Sequence, residues 1–166
     1  MLSALDRLVA AEEIKKLKAR YFRALDTKNW EDLPGIFAPD AVFDLRAVNS
    51  VKRLPDGEFD PPFGSEDQIF RGRDTIVEMI RHAIEGLYTI HHGHMPEIEI
   101  LSAISARGVW VLEDVLRYPS GELLFNGFGH YHETYENLAS CWQIKTSRLT
   151  RIYMAGGALA VPEQPR

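Results

Sequence analysis

One cysteine, Cys141, is present in the chain, so no internal disulfide can form. That scarcity fits a reducing compartment, and a cytoplasmic location is the expectation. No apolar run approaches the roughly 20 residues that a membrane-spanning helix requires. The start, Met1-Leu2-Ser3-Ala4-Leu5-Asp6, carries an acid early and is not expected to be a signal peptide. No concentrated basic patch occurs: 19 basic residues are scattered among 24 acidic ones, for a net charge of −5. Nucleic acid is therefore not an expected partner, because phosphate binding needs clustered positive charge. A glycine-rich phosphate loop and a serine nucleophile elbow are also missing, and no cofactor is implied.

What remains is ordinary globular composition, 45% hydrophobic and 26% charged over 166 residues. That length suits one domain spanning about 1–155, followed by a tail from 156 to 166 with Pro162 and Pro165 that is expected to be flexible. Leu5, Leu8, Val9, Ile14, Leu17, Tyr21 and Leu25 recur at helical spacing from Ser3 to Leu25. Glu12, Glu13, Lys15, Lys16 and Lys18 between them read as a solvated face. Asn29 is a predicted N-cap for a short helix opening at Trp30, burying Ile36-Phe37 and ending at Pro39-Asp40. Ala41 to Leu45 reads as a short strand. Residues 46–64, with Asn49-Ser50, Pro55-Asp56-Gly57 and Pro61-Pro62, read as loop or a loose hairpin. A second helix is predicted from Asp74 as N-cap, with Ile76, Ile80, Ile84 and Leu87 on one face and Gly86 as its stop.

Beyond that point the apolar period falls to 2. Strands are predicted over His94 to Leu101, Ala106 to Tyr118, Leu123 to Tyr135 and Trp142 to Tyr153. Gly127 and Gly129 mark bulges or a bend in the third. Helices followed by long strands with short turns define an α+β class, with a bent sheet wrapped over the first helix to enclose a pocket.

Half of the six histidines lie in Ile90-His91-His92-Gly93-His94, where the period changes. If that segment is extended, His91 points to one side and His92 and His94 to the other. His130 and His132 likewise share a side. Two His-x-His pairs on neighbouring strands would suit a zinc or iron site. A lone imidazole base is equally sufficient, because a carboxylate on one ring nitrogen fixes the tautomer and leaves the other to take a proton. Asp26 or Asp114 would be that carboxylate. Asp26 ends the first helix, where an acid is disfavoured by the helix dipole and has an ordinary role as a turn cap. Asp114 falls among Trp110, Leu112 and Leu116 on one strand face, and an acid there demands a partner or a polar pocket. Tyr21 is a core aromatic by spacing, with a hydroxyl that could reach a ligand. Cys141 reads as structural.

Tyr21-Phe22-Arg23-Ala24-Leu25-Asp26 with Lys28 and Trp30, then His91-x-Gly93-His94-x-Pro96-Glu97-Ile98 and Gly108-x-Trp110-x-Leu112-Glu113-Asp114, resemble the SnoaL-like branch of the NTF2-like superfamily. Within it they look most like the bile-acid 7α-dehydratases. Tyr135-Glu136, Trp142-x-Ile144-Lys145 and Arg151-Ile152-Tyr153 extend the resemblance to nearly the whole chain. It implies an α+β cone, a curved antiparallel sheet closed by helices around a deep apolar pocket, often as a homotrimer. It also implies a cofactor-independent lyase with no catalytic metal, acting on an apolar, cyclic or steroid-like small molecule. His91 would be the base and Asp26 its orienting acid, with Tyr21 and Asp114 activating a carbonyl or leaving group. Arg151, Trp110 and Phe128 are the expected substrate-binding residues. An isomerase using the same dyad, or a non-catalytic subunit like those of ring-hydroxylating dioxygenases, fits the same fold. The chain departs from those dehydratases in its 46–70 loop, at His92, and at Asn137-Leu138-Ala139-Ser140.

Overall fold

A computed structural model describes residues 2–54 and 56–161. Pro55, Pro162 and Pro165, which enter the expectations above, lie outside the described residues. Helix α1 (Ala4–Thr27) starts at a reciprocal cap. The Ser3 hydroxyl accepts from the Asp6 backbone N–H at 3.1 Å, and Asp6 accepts from the Ser3 N–H at 2.9 Å. Such a capping box satisfies two donors that a helix start otherwise leaves orphaned. The helix ends at Lys28, whose left-handed backbone (φ 58°) lets its N–H reach back to the carbonyls of Ala24 and Leu25.

Ile14, Leu17, Tyr21, Ala24 and Leu25 form the buried stripe of α1, but Leu5, Leu8 and Val9 of the expected stripe are exposed. A short 3₁₀ turn (Leu33–Ile36) replaces the helix predicted from Trp30, and Pro34 sits in its first turn. Asn29 does accept from the Asp32 N–H, at 3.3 Å. Strand β1 (Phe37–Asp44) runs through Pro39-Asp40 instead of stopping there. The proline is tolerated because it falls where the ladder register shifts between Phe37 and Val42. The 46–64 segment is a loose hairpin of β2 (Val51–Lys52) and β3 (Phe59–Asp60). After β4 (Ile69–Arg71) comes α2 (Arg73–Ile84), capped by Gly72 (φ 86°) with Asp74 in its first turn, not at the cap.

Four long strands complete the chain: β5 (Tyr88–Ile100), β6 (Ser105–Arg117), β7 (Leu123–Leu138) and β8 (Cys141–Gly156). They join in the order β3-β2-β8-β7-β6-β5, with β1 also on β8 and β4 on β1. The sheet is curved, as expected, but mixed instead of wholly antiparallel. β1 and β2 run parallel to β8, because the chain between them crosses through α2 and three long strands. Alternation along β7 is strict, from Phe125 to Tyr135 buried at every second residue. That inner face packs on α1 in one hydrophobic cluster with α2.

Lys18 overturns the solvated-face expectation: it is fully buried. Its ammonium donates to Glu133 at 2.6 Å, a pair with no exposed side-chain surface on either partner, and lies 3.5 Å from the Tyr131 ring centroid. Glu133 also accepts from Ser147 at 3.0 Å and from the Tyr135 hydroxyl at 2.6 Å. Trp110 Nε1 in turn donates to that hydroxyl at 2.7 Å. Burial draws the Lys18 pKa down, opposed by the charge and hydrogen bond of Glu133. The pair is satisfied only as a unit. Lys18→Met should destabilise the fold by about 3–5 kcal/mol, because it strands a buried carboxylate. The double variant Lys18→Met/Glu133→Gln should recover a large part of that loss. Urea denaturation of the three proteins measures both, and a single variant as stable as the parent would contradict the assignment.

Candidate active site

Asp26 lies in the last turn of α1, where the free carbonyls make a carboxylate unwelcome. Three donors from β5 offset this. The His91 backbone N–H reaches Oδ2 at 2.9 Å, His91 Nδ1 reaches Oδ1 at 2.7 Å, and the Thr89 hydroxyl reaches Oδ1 at 3.0 Å. Burial pushes the carboxyl pKa up. The His91 hydrogen bond and charge, its backbone N–H and the Thr89 hydroxyl outweigh that and hold it below the usual carboxylate value. An ionised Asp26 makes Nδ1 the donor, so Nε2 keeps the lone pair. Of the two acids open for pairing with His91, the structure brings Asp26 to it and not Asp114.

Strand parity places Thr89, His91 and Gly93 inward and His92 and His94 outward. Gly93 is needed there, because a Cβ would collide with the Phe22 ring. Phe22 uses that space to lie parallel to the His91 imidazole, with centroids 6.1 Å apart at 9°. Lys28 donates to the Thr89 hydroxyl at 2.7 Å and to the Leu25 carbonyl at 3.0 Å, so a cation stands behind the Thr89–Asp26 contact.

Asp114 faces His91 across the β5–β6 ladder, but both its oxygens belong to Arg151. Nη1 and Nη2 donate to them at 2.7 and 2.8 Å, and Nε donates to the Val48 carbonyl at 2.8 Å. Gly127 pairs with Asp114 on the strand that lies between β6 and β8, and a Cβ there would lie 2.5 Å from both Arg151 Nη1 and Asp114 Oδ1. The glycine expected to mark a bulge in fact makes room for a buried ion pair. The bulge falls between Phe128 and Gly129.

These side chains meet at a cavity of about 60 Å³ lined by Tyr21, His91, Asp114, Tyr131 and Arg151 among apolar residues that include Leu25, Phe43 and Ile84. Burial, then the charge of Glu133, pushes the Tyr21 hydroxyl far above its ordinary range. Tyr131 is raised in the same direction, first by burial and then by Tyr21. Both phenols stay protonated, as hydrogen-bond donors. Leu159 closes one wall, fastened by its carbonyl accepting from Asn49 Nδ2 at 2.9 Å and its N–H donating to Asn49 Oδ1 at 3.0 Å. The start of the expected flexible tail is thus part of the cavity. A larger concavity of about 690 Å³ opens among Glu97, Glu99, Arg107, His132 and Arg148, where Arg107 pairs with Glu99 and His132 contacts Thr150 instead of a carboxylate.

Two expected substrate-binding residues are placed elsewhere. Phe128 has outward parity and packs on Tyr153, with centroids 6.3 Å apart, so the sheet separates it from the cavity. Trp110 faces inward but lies in the Lys18–Glu133 network instead of the cavity lining. His130 and His132 sit on β7 with β6 between them and the His92–His94 pair, so the two pairs are not on neighbouring strands. Thr89, Lys28, Phe22 and Tyr131 are site residues that sequence reasoning missed. Thr89 had a signal in sharing His91's parity two residues away, and Phe22 and Lys28 stood in the motif that carried the resemblance without a role assigned to them.

The structure is an α+β cone in which a histidine on the edge strand is tied to a helix-end carboxylate. The chain belongs to the SnoaL-like domain family, whose profile matches residues 6–148. It is 24% identical over 146 residues to a probable cyclase from Gibberella zeae, covering 87% of this chain and 92% of that one. Among solved structures, a candidate scytalone dehydratase from Novosphingobium aromaticivorans superposes with a TM-score of 0.69 at 21% identity, over 94% of this chain and 93% of the other. The hexachlorocyclohexane dehydrochlorinase LinA-type3 from Novosphingobium barchaimii gives 0.70 at 18% identity, over 96% and 99%. At these identities the structural likeness establishes the fold.

The lowered Asp26 pKa sets the sign of a pH dependence. Its stabilising contribution is complete above the unfolded carboxyl value of about 3.9 and disappears as pH falls through the lower folded value. The stability gap between the parent and Asp26→Asn should therefore be widest near neutrality and narrow below about pH 4. Denaturation of both proteins across pH checks this, and a gap independent of pH would count against an ionised Asp26.

Proposed function

We propose that this protein is a cofactor-independent lyase of the dehydratase type, acting on a small, largely apolar cyclic molecule. The observation that carries the reading is the 2.7 Å contact between His91 Nδ1 and Asp26 Oδ1 at the wall of an apolar cavity. A ring nitrogen fixed in this way leaves Nε2 to remove a proton from carbon, while Asp26 stabilises the imidazolium that forms. The electrons of the broken C–H bond form the new double bond, and the bond to the leaving group breaks. For loss of water, that oxygen departs with a proton from the imidazolium.

Tyr21 is suited to donate a hydrogen bond to a substrate oxygen without giving up its proton. Asp114 is not free to act as an acid, since both its oxygens are held. Its role in this reading is to keep the Arg151 guanidinium on the cavity wall as part of a neutral pair. The cavity has the volume of about two water molecules at roughly 30 Å³ each, so a cyclic substrate requires a wall to move. The segment fastened by Asn49 and Leu159 is the wall we assign to that movement.

His91→Ala should remain folded by circular dichroism and lose roughly 10²–10⁴-fold in turnover, the usual worth of a positioned base. Screening hydroxylated cyclic ketones supplies the substrate. Full turnover by the variant would end the assignment. Product analysis in deuterated water separates elimination from isomerisation, in which the base returns a proton to a different carbon of the substrate and nothing is lost.

We also propose self-association through the outer sheet face, where Ile90, Val111 and Tyr153 are exposed. Light scattering behind gel filtration should give a dimer or trimer mass, and Val111→Lys should shift it toward the monomer. A monomer for the parent would rule this out.

A further inference from the structure

The face of β5 opposite the cavity carries a second group of titratable side chains that the proposed reaction does not use. His92 and Glu113 are directly opposed across the β5–β6 ladder, one register step from His91 and Asp114. His92 Nδ1 lies 3.7 Å from Glu113 Oε2. His94 follows on the same face, with its ring centroid 6.0 Å from that of His92. One ligand atom from each of the three falls within 4.8 Å of the others, and this is the only such group among the described residues.

We infer that His92, His94 and Glu113 form a three-ligand site for a divalent transition metal, with zinc as the fitting ion. Ligand atoms at about 2.0–2.2 Å from a tetrahedral zinc stand roughly 3.4 Å apart, somewhat closer than they are here. His92 and His94 are exposed, so rotation of their side chains closes that difference without moving the strands. Two imidazoles and one carboxylate suit zinc and its neighbours, whereas magnesium and calcium need all-oxygen shells. Three protein ligands leave a fourth position for water. The four-histidine set suggested by the His-x-His repeats cannot close on one ion, because β5 and β7 are two strand spacings, about 9.5 Å, apart. Glu113 on the intervening strand takes the place of the second pair.

The consequence is mechanical. An ion there would staple edge strand β5 to β6 directly behind His91, at the one edge of the long-strand ladder that lacks a partner. Binding to the folded chain alone raises its apparent stability by RT ln(1 + c/Kd), where c is the free zinc concentration, so the rise grows with the logarithm of zinc concentration once the site is filled.

Calorimetric titration of the tag-free protein with zinc chloride should show one ion per chain and a zinc-dependent rise in Tm. Loss of even an indirect partner of a metal ligand costs roughly 10–100-fold in affinity, so His92→Ala/His94→Ala should weaken binding by more than about 10-fold and abolish the Tm shift. Glu113→Gln should weaken it as well, while His91→Asn should bind as the parent does. Equal binding by parent and double variant, or loss of binding in His91→Asn, would overturn the site. If the double variant fails to fold, Cu²⁺ bound to the parent decides the matter. Its electron paramagnetic resonance spectrum should show two imidazole nitrogens, and one or none would refute the proposal.

Discussion

The carboxylate of Asp26 is the junction on which the rest of the site depends. It ends α1, where the helix dipole works against it, and it is held because β5 delivers two N–H donors and one hydroxyl to its two oxygens. The same contacts fix the helix end against the edge strand and orient the His91 imidazole through its Nδ1. A helix of different length, or a strand displaced by one residue, would turn His91 outward and bring His92 in. Register thus decides which histidine lines the cavity.

Two buried ion pairs flank that junction along the inner face. Lys18–Glu133 anchors the middle of α1 to β7, and Arg151–Asp114 ties β8 to β6 across Gly127. Each is desolvated, and each is supported by further hydrogen bonds, from Ser147 and Tyr135 to Glu133 and from Arg151 to the Val48 carbonyl, which helps to make a buried pair tolerable. Together they charge an otherwise apolar interior without leaving net charge on the cavity wall. Tyr21 and Tyr131 lie between the two pairs, and this is why their hydroxyls stay protonated: burial and nearby carboxylates both oppose the phenolate. The pocket offers donors and one base, a set suited to proton transfer from an apolar ligand.

Much of this was legible in the chain. The switch from helical to alternating spacing located α1, α2 and the four long strands, and parity alone separated His91 from His92 and His94. Where the expectations failed, a three-dimensional reason is visible. Lys18 was read as a surface residue from its charge, although it falls on the buried stripe four residues after Ile14 and three before Tyr21; no local rule reveals that Glu133, 115 positions away, awaits it. Phe128 was expected at the pocket, yet the parity of Gly127 and Gly129 puts it outside. Gly127 was read as a bulge, because sequence does not show that Asp114 and Arg151 converge on its missing side chain. The parallel pairing of β1 and β2 with β8 is likewise a matter of long-range topology.

The sequence by itself determined the two main helices and the four long strands, the opposite parity of His91 to His92 and His94, and the presence of an acid that needed a partner, because these follow from short-range periodicity and burial cost; which parity faces inward it left open. Spacing left Asp26 and Asp114 both open and the resemblance implied Asp26; the tertiary structure brings Asp26 to the imidazole. Asp26 and Asp114 are both plausible partners along the chain, and Asp114 faces His91 in the ladder. The choice came from competition for donors: Arg151 claims both oxygens of Asp114, and the helix end brings Asp26 to the imidazole instead. Hydrogen-bond partnership among buried groups is a property of the packed whole, and no single strand or helix carries it.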